Sequence, residues 1–464
     1  MKFGGTSLSN GDNIRHVCEL LHKYLTQKHE IVVVNSALVK VTDSLVTVCQ
    51  RSLEIEKSYI SKFITTLKER HIETCKTAIK DESIQKEIGE IISKTISELE
   101  DVLTGITFIK EVTPKIRDFT LSFGERLATP IIYGTLKDLG IKANWFTGGK
   151  AGITTDANFG NANPLMDVTE YQLKLNIEKL LEEKITPVIT GFIGSDQNGA
   201  ITTLGRGGSD YTAAILGKSL SADEIWIWSD VDGLMTSDPK IEPNVRTILE
   251  ISSTEALEMA YFGAKKLHPK AIETVLEKGI PIRIKNTFNP DFAGTLIIRK
   301  ERIKPHTIVK SISLIPKVAI ITLSGASMAG TPGTAATLFK IFGEKNINIS
   351  MISQSSSEAS ISLVISRYDL DDALNILETS QLDLKLIREI KTEDNMCIIA
   401  LVGAGMVGIP GVAARIFNAV AREEINIRMI AQGSSELNIS FVIKESQGQK
   451  AVGALHKEFG LDKI

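Results

Sequence analysis

Lys2-Phe3-Gly4-Gly5-Thr6-Ser7 places a cation, two glycines and two hydroxyls at a predicted strand end. Glycines let backbone N–H groups approach phosphate oxygens, and a lysine neutralises their charge; an ordinary turn uses the same residues. The run Leu204-Gly205-Arg206-Gly207-Gly208-Ser209-Asp210 sets an arginine inside a glycine turn, just ahead of a helix predicted over 211–220. A guanidinium fork there suits a carboxylate or phosphate, Gly207, Gly208 and Ser209 add helix-start N–H donors, and Asp210 suits a cation or ammonium. Ser122-Phe123-Gly124-Glu125-Arg126 reads as a strand-to-helix turn, where Glu125 either meets a ligand or serves the helix dipole. No G-x-x-x-x-G-K-S/T run occurs, which excludes the P-loop phosphate site.

Two further runs carry charge. Ser229-Asp230-Val231-Asp232-Gly233 follows a strand ending at Trp228, with Asp238-Pro239 shortly after. Carboxylates there sit at the carboxyl end of a parallel strand, where open α/β sheets bind ligands. Gly263-Ala264-Lys265-Lys266-Leu267-His268-Pro269 adds Lys265 and Lys266 beside a helix, as a phosphate clamp or a solvated face. His268 has no evident partner base or nucleophile and reads as structural.

The elements that must hold these runs alternate over residues 1–300. Short β-branched runs at 31–34, 186–193, 224–228 and 281–285 are separated by amphipathic stretches such as 14–24, 171–181 and 253–261. That alternation predicts an α/β fold with a mainly parallel sheet covered on both faces. Residues 52–103 are helical in pattern and rich in Lys, Glu and Ile, a helical subdomain whose charges form a solvated face.

The remaining chain repeats itself. Pro332-Gly333-Thr334-Ala335-Ala336 recurs 78 residues later as Pro410-Gly411-Val412-Ala413-Ala414, and Ile347-Asn348-Ile349 recurs as Ile425-Asn426-Ile427 at that same offset. Each copy reads as a small ferredoxin-like βαββαβ unit. The second copy lacks a fourth strand of its own, and 308–315 alternates like one, so the first copy is expected to be inserted within the second. Gly403-Ala404-Gly405-Met406-Val407-Gly408 satisfies the G-x-G-x-x-G fingerprint. With 56 residues beyond Gly408, too few for a dinucleotide domain, NAD binding is not expected.

Composition narrows the class. The 464 residues are 43% hydrophobic and 23% charged, globular values, and length alone suggests about three domains. Lys plus Arg number 53 against 56 Asp plus Glu, a net charge of -3, which offers no footprint for nucleic acid or an anionic membrane. The four cysteines, Cys18, Cys49, Cys75 and Cys397, have no metal-site spacing and suggest reduced cytoplasmic thiols. No signal peptide is evident, and the uncharged stretch 396–414 is broken by four glycines and a proline, so a soluble protein is expected.

Together the motifs resemble the aspartokinase family. Lys2–Ser7, Ser-Phe-Gly-Glu-Arg-Leu at 122–127, Thr-Thr-Leu-Gly-Arg-Gly-Gly-Ser-Asp-Tyr at 202–211, Asp-Val-Asp-Gly at 230–233 and Phe-Gly-Ala-Lys-Lys-Leu-His-Pro at 262–269 occur in that family's order. The resemblance implies a three-layer αβα amino acid kinase domain over 1–300 and two ACT domains, over 301–390 and 391–464. It implies ATP-dependent phosphorylation of the L-aspartate side-chain carboxylate, the first step toward lysine, threonine and methionine. A carboxylate nucleophile is ionised at pH 7 and needs no general base, so such a site works by alignment and electrostatics.

By the same resemblance, Lys2 stabilises the transferred phosphoryl group while Gly4, Gly5, Thr6 and Ser7 cradle phosphates. Arg206 grips the α-carboxylate, Glu125 pairs with the α-ammonium and Asp210 supports that pocket; Ser36 and Thr42 match further substrate contacts. Ser229, Asp230, Met235, Lys240, Lys265 and Lys266 fall at nucleotide positions, with methionine at 235 where many relatives have tyrosine and serine at 229 where threonine is usual. Magnesium bridges phosphate oxygens and no dedicated metal site is expected.

The ACT pair implies feedback by an amino acid at Met328, Thr331, Gly333, Asn348, Ile349 and Gln354 in the first copy. The counterparts in the second are Met406, Gly411, Asn426, Ile427 and Gln432; alternatively these residues only build two small cores. In the first copy Ser350 stands where lysine-sensitive relatives carry a carboxylate, and the second copy has Arg428, which leans toward threonine. A homodimer or dimer of dimers through the ACT domains is implied, and no fused homoserine dehydrogenase domain is expected. An amino-acid sensor with an inactive kinase half is the rival reading.

Overall fold

The β-branched runs build an eight-stranded sheet in the computed structural model, which describes residues 1–53, 57–262, 267–299, 308–357, 359–379 and 387–463. Its order is Ala143–Phe146, Thr186–Thr190, Val33–Asn35, Lys2–Phe3, Ile225–Ser229, Ile282–Asn286, Thr295–Ile298, Glu250–Ser252. The first six run parallel, and Thr295–Ile298 turns back antiparallel. Every residue of Val33–Asn35 and Thr186–Thr190 is buried, as parallel strands covered on both faces must be. Phe3 sits opposite both Asn35 and Trp228, so the carboxyl ends of the three central strands meet on one edge.

Helices fix that edge from both faces. Of the stretch 52–103, residues 57–78 fall in the helix Lys57–Ala78 and residues 82–103 in Glu82–Ile109, while 54–56 lie outside the described residues; the second helix is capped by the Asp81 carboxylate, which accepts from the N–H groups of Ser83 and Ile84. Its Ile84, Ile88, Ile92, Ile96, Leu99 and Leu103 recur at three- and four-residue spacing and bury against Leu127, Ile131 and Ile132. The charged face is the other side of a core helix. One expectation is corrected: residues 122–126 are no strand-to-helix turn but lie in the middle of the helix Pro114–Asp138. The true start is upstream, where the Thr113 hydroxyl accepts from Ile116 N–H and Pro114 occupies the first position. Gly124 imitated a turn signal, yet it is there for close packing, since a Cβ would lie 2.8 Å from that of Ala37.

This sheet and its helices form one compact unit, residues 1–234, 249–253 and 265–300; the second unit holds 235–248, 254–264 and 301–464. The second unit carries a six-stranded antiparallel sheet ordered Ile349–Gln354, Ser360–Ser366, Ser311–Ser324, Glu389–Val402, Asn438–Lys444, Met429–Gln432. Its two central strands, 14 residues each, run through both repeat copies. Val318 to Ser324 pair with Ser360–Ser366, whereas Ser311 to Ile315 pair with Ile398 to Val402. Val309 and Ile312 pack with Ile399, Leu401 and Ile416, so the second copy's core draws a strand from residues ahead of the first. Regular pairing begins at Ser311 rather than 308.

Gly333 (φ 89°) and Gly411 (φ 87°) cap the equivalent helices Thr334–Glu344 and Val412–Arg422 in the left-handed region, so the repeat holds at the backbone. The G-x-G-x-x-G run lies between the antiparallel strand Glu389–Val402 and the helix Val412–Arg422. A Cβ on Gly403 would meet the Ile308 carbonyl at 2.3 Å, which gives this glycine a packing reason. The segment 235–248 is fastened to the second copy: the Thr236 carbonyl accepts from Ile312 N–H at 2.8 Å, and its hydroxyl lies 3.0 Å from His456 Nε2. Among the described residues, no helix is long and apolar enough to cross a membrane.

Candidate active site

Lys2, on the central strand, reaches Asp210 with Nζ 2.6 Å from Oδ1, both side chains largely buried. Asp210 belongs to the first turn of Gly208–Ser219, where the helix dipole also favours a carboxylate. Glu125 is 3% exposed. Its Oε1 accepts from Ala37 N–H at 3.1 Å, and its Oε2 is buried without a hydrogen-bond partner among the described residues. Burial pushes the Glu125 carboxyl up to about 8, against the pull of the Ala37 N–H and the Lys2 charge. Glu125 is therefore neutral at pH 7 until a cation arrives. An ammonium beside it would satisfy Oε2 and favour ionisation together.

Arg206 is exposed between Gly205 (φ 80°) and Gly207 (φ 72°). A Cβ on Gly207 would stand 2.6 Å from Cδ2 of His268. His268 Nδ1 accepts from Lys270 N–H and caps the helix Pro269–Leu276. Burial lowers its pKa, which the Asp210 charge partly offsets. His268 is a wall and a cap. Gly207→Ala combines a disfavoured φ with that clash, so we expect a roughly tenfold loss of kcat/KM for whichever carboxylate-bearing ligand Arg206 receives. Steady-state kinetics on the folded variant would check this; an unchanged value would mean the turn tolerates displacement.

A cleft of about 400 Å³ is lined by Lys2, Thr42, Glu125 and residues 206–209. Among the described residues, three cations line it, Lys2, Arg117 and Arg206, with the carboxylates Asp43, Asp118 and Glu125. Gly4 N–H donates to the Trp228 carbonyl at 3.3 Å, while Gly5 and Thr6 open a short 3₁₀ turn, Gly5–Leu8, at the strand end. The Ser7 hydroxyl is fully buried and bonded to that of Thr287 at 2.6 Å. Ser36 follows Val33–Asn35, with its N–H on the Phe3 carbonyl. The Ser229 hydroxyl accepts from Val231 N–H, and Asp230 is exposed beside it. Met235 and Lys240 fall in the second unit; Lys265 and Lys266 lie outside the described residues.

Sequence reasoning missed Asp43 and Arg117 on the cleft wall, and two residues that shape it. Asp118, fully buried, accepts three hydrogen bonds from Gly160 and Thr203. Beside Arg117 in a helix it looks like any surface charge, and no local signal marks it. Phe192 lines the cleft with φ 69°, a costly conformation for a bulky residue, held by bonds to Thr212 and Leu204. Its neighbour Gly191 was the available hint. In the second unit, Met328 and Met406 are buried, whereas Thr331, Gly333, Asn348 and Gln354 are exposed, as are Gly411, Asn426 and Gln432. Ile349 and Ile427 are half-buried at equivalent places.

Residues 1–286 match the profile of the amino acid kinase family, and residues 321–381 and 399–459 each match an ACT domain. The chain belongs to the amino acid kinase family. It is 33% identical over 470 residues to aspartokinase 1, chloroplastic, of Arabidopsis thaliana, spanning 99% of this chain and 79% of that protein. The crystal structure of E. coli aspartokinase III in complex with aspartate and ADP superimposes with a TM-score of 0.84 at 28% identity, covering 98% of each chain. The same enzyme with lysine and aspartate gives 0.79 at 28% identity, covering 99% of this chain and 98% of that one. Within its family the chain is an aspartokinase, a kinase of aspartate with paired ACT domains.

Proposed function

We propose that this enzyme transfers the γ-phosphoryl group of ATP to the side-chain carboxylate of L-aspartate, giving 4-phospho-L-aspartate, the first step toward lysine, threonine and methionine. The observation that carries the substrate assignment is the charge pattern of one cleft. The unpaired Glu125 Oε2 awaits an ammonium, Arg206 a carboxylate, and Lys2 stands over the place where a second carboxylate meets phosphate. Glu125 takes the α-ammonium with Asp210 in support, Arg206 the α-carboxylate with the N–H groups of Gly207, Gly208 and Ser209, and Ser36 and Thr42 the remaining polar contacts.

Lys2 offsets the repulsion between two anions and stabilises the migrating phosphoryl group, the main task when the nucleophile is already ionised. Gly4, Gly5 and Thr6 serve the phosphates, with Ser7 holding their turn from its buried place against Thr287, and Ser229, Asp230, Met235, Lys240, Lys265 and Lys266 serve the nucleotide. ATP enters as its magnesium complex, the ion held mainly by phosphate oxygens. Four unpaired, buried cysteines support a reducing, cytoplasmic setting.

An amino acid regulates the enzyme through the two Gly-x-Pro-Gly loops, residues 330–333 and 408–411, and the strands after them, in a homodimer or dimer of dimers joined by ACT domains. Threonine is favoured. Ser350 offers a hydroxyl, and Arg428 is paired with Glu393 at 2.5 Å, which occupies the acid a lysine side chain would need. The test is ADP release with magnesium and ATP against aspartate, glutamate and acetylglutamate, with threonine or lysine added. Aspartate-dependent turnover suppressed by threonine is expected. Suppression by lysine alone would reverse the effector; saturable effector binding without turnover would leave a sensor with an inactive kinase half.

A further inference from the structure

Asp118 and Glu125 are seven residues apart on Pro114–Asp138, two helical turns, so both carboxylates project from one face, and both line the cleft. Asp118 is completely buried, and both its oxygens are hydrogen-bonded: Oδ2 accepts from Gly160 N–H and Thr203 N–H, each at 2.8 Å, and Oδ1 from the Thr203 hydroxyl at 2.8 Å. The Thr203 carbonyl accepts from Ala162 N–H at 2.9 Å, so all its polar groups are engaged. Three residues later comes Arg206, exposed, with a left-handed glycine on either side. Glycines permit that turn but do not hold it. The Gly208 N–H closes the turn on the Gly205 carbonyl at 3.0 Å, and contacts at its ends tie it to the fold: His268 stands against Gly207 at one, while Leu204 N–H reaches the Phe192 carbonyl and Asp118 grips Thr203 at the other.

We infer that Asp118 is a positioning residue for aspartate: without touching the substrate, it ties the Arg206 turn to the helix that carries Glu125. One helix then sets the spacing between the receptor for the α-ammonium and the receptor for the α-carboxylate. The inference rests on the reading of Arg206 as the α-carboxylate clamp. It does not involve the nucleotide.

Its consequence is selective. Asp118→Asn keeps the shape but turns one acceptor into an NH2 group facing donors. A lost hydrogen bond to a charged group implies a roughly tenfold to hundredfold rise in the KM for aspartate. The KM for ATP and kcat are expected to stay within about twofold, because a positional change in one subsite is a binding effect. Thr203→Val removes only the hydroxyl contact and should move the aspartate KM in the same direction by less.

The experiment measures steady-state kinetics of Asp118→Asn, Thr203→Val, Arg206→Ala and the Asp118→Asn/Arg206→Ala double variant. If Asp118 acts through Arg206, the double variant shows no further rise in aspartate KM beyond Arg206→Ala. Multiplying effects, or an equal rise in the KM for ATP, would overturn the inference, as would an unchanged aspartate KM in Thr203→Val should Asp118→Asn fail to fold. A raised aspartate KM in Arg206→Ala with none in Asp118→Asn overturns the inference alone. An unchanged value in Arg206→Ala overturns the clamp reading and the inference with it.

Discussion

Glu125→Gln is expected to make the free enzyme more stable while nearly abolishing its use of aspartate. The carboxyl is buried and pushed up to about 8. Between its unfolded value near ~4.3 and 8, the folded state holds a proton that the unfolded state has released, so wild-type stability falls as pH rises through that window and levels off above it. Glutamine imitates the protonated group and carries no such slope. The stability gap should therefore widen by about 1.4 kcal/mol per pH unit from pH 5 to 8, reaching on the order of 4 kcal/mol at pH 8.5. Urea denaturation of both proteins at pH 6 and 8.5 checks it, and a gap that ignores pH would show that the buried carboxyl is not what destabilises the fold.

The functional half of this prediction has the opposite sign. Glutamine cannot ionise beside an ammonium, and removing one member of a buried charge pair costs about 3 kcal/mol, more than a hundredfold in kcat/KM. In the wild type, aspartate binding must release the Glu125 proton below pH 8, so the aspartate KM should fall as pH rises from 6 to 8. Calorimetry in buffers of different ionisation enthalpy would register that proton. Binding enthalpies independent of buffer at pH 7 would contradict a protonated Glu125.

Lys2→Met is expected to be the most damaging single change. Lys2 sits 2.6 Å from a mostly buried Asp210 carboxylate, and its loss strands that charge at a cost on the order of 3 kcal/mol. Turnover suffers more, because the cation that stabilises the transferred phosphoryl group is gone, and a loss of at least about a thousandfold in kcat follows. Stability and chemistry separate in the double variant Lys2→Met/Asp210→Asn, which should recover most of the lost stability but none of the activity. A single variant retaining kcat within about tenfold would remove Lys2 from the phosphoryl-transfer step.

Sequence alone determined what depends on local order. Alternating apolar runs specified a parallel sheet, because a strand buried on both faces can be built from little else. The repeated Pro-Gly runs specified two equivalent loops, because each needs glycine in the left-handed region at Gly333 and Gly411. Arg206 was legible for the same reason, since an arginine framed by Gly205 and Gly207 has no place in a core.

Tertiary structure alone decided what depends on distant atoms. Glu125 lies 88 residues from the Ala37 N–H that binds it, and Asp118 lies 85 from Thr203. Nothing near either carboxylate in sequence reports that water has been removed around it. Gly124 misled for the same reason: the close approach of Ala37 that requires it belongs to another element. Likewise, the Ser7 hydroxyl is satisfied by Thr287 from the far end of the domain. Burial and partnership across the fold set a carboxyl's charge and a glycine's purpose, and neither is encoded within a few residues of the group concerned.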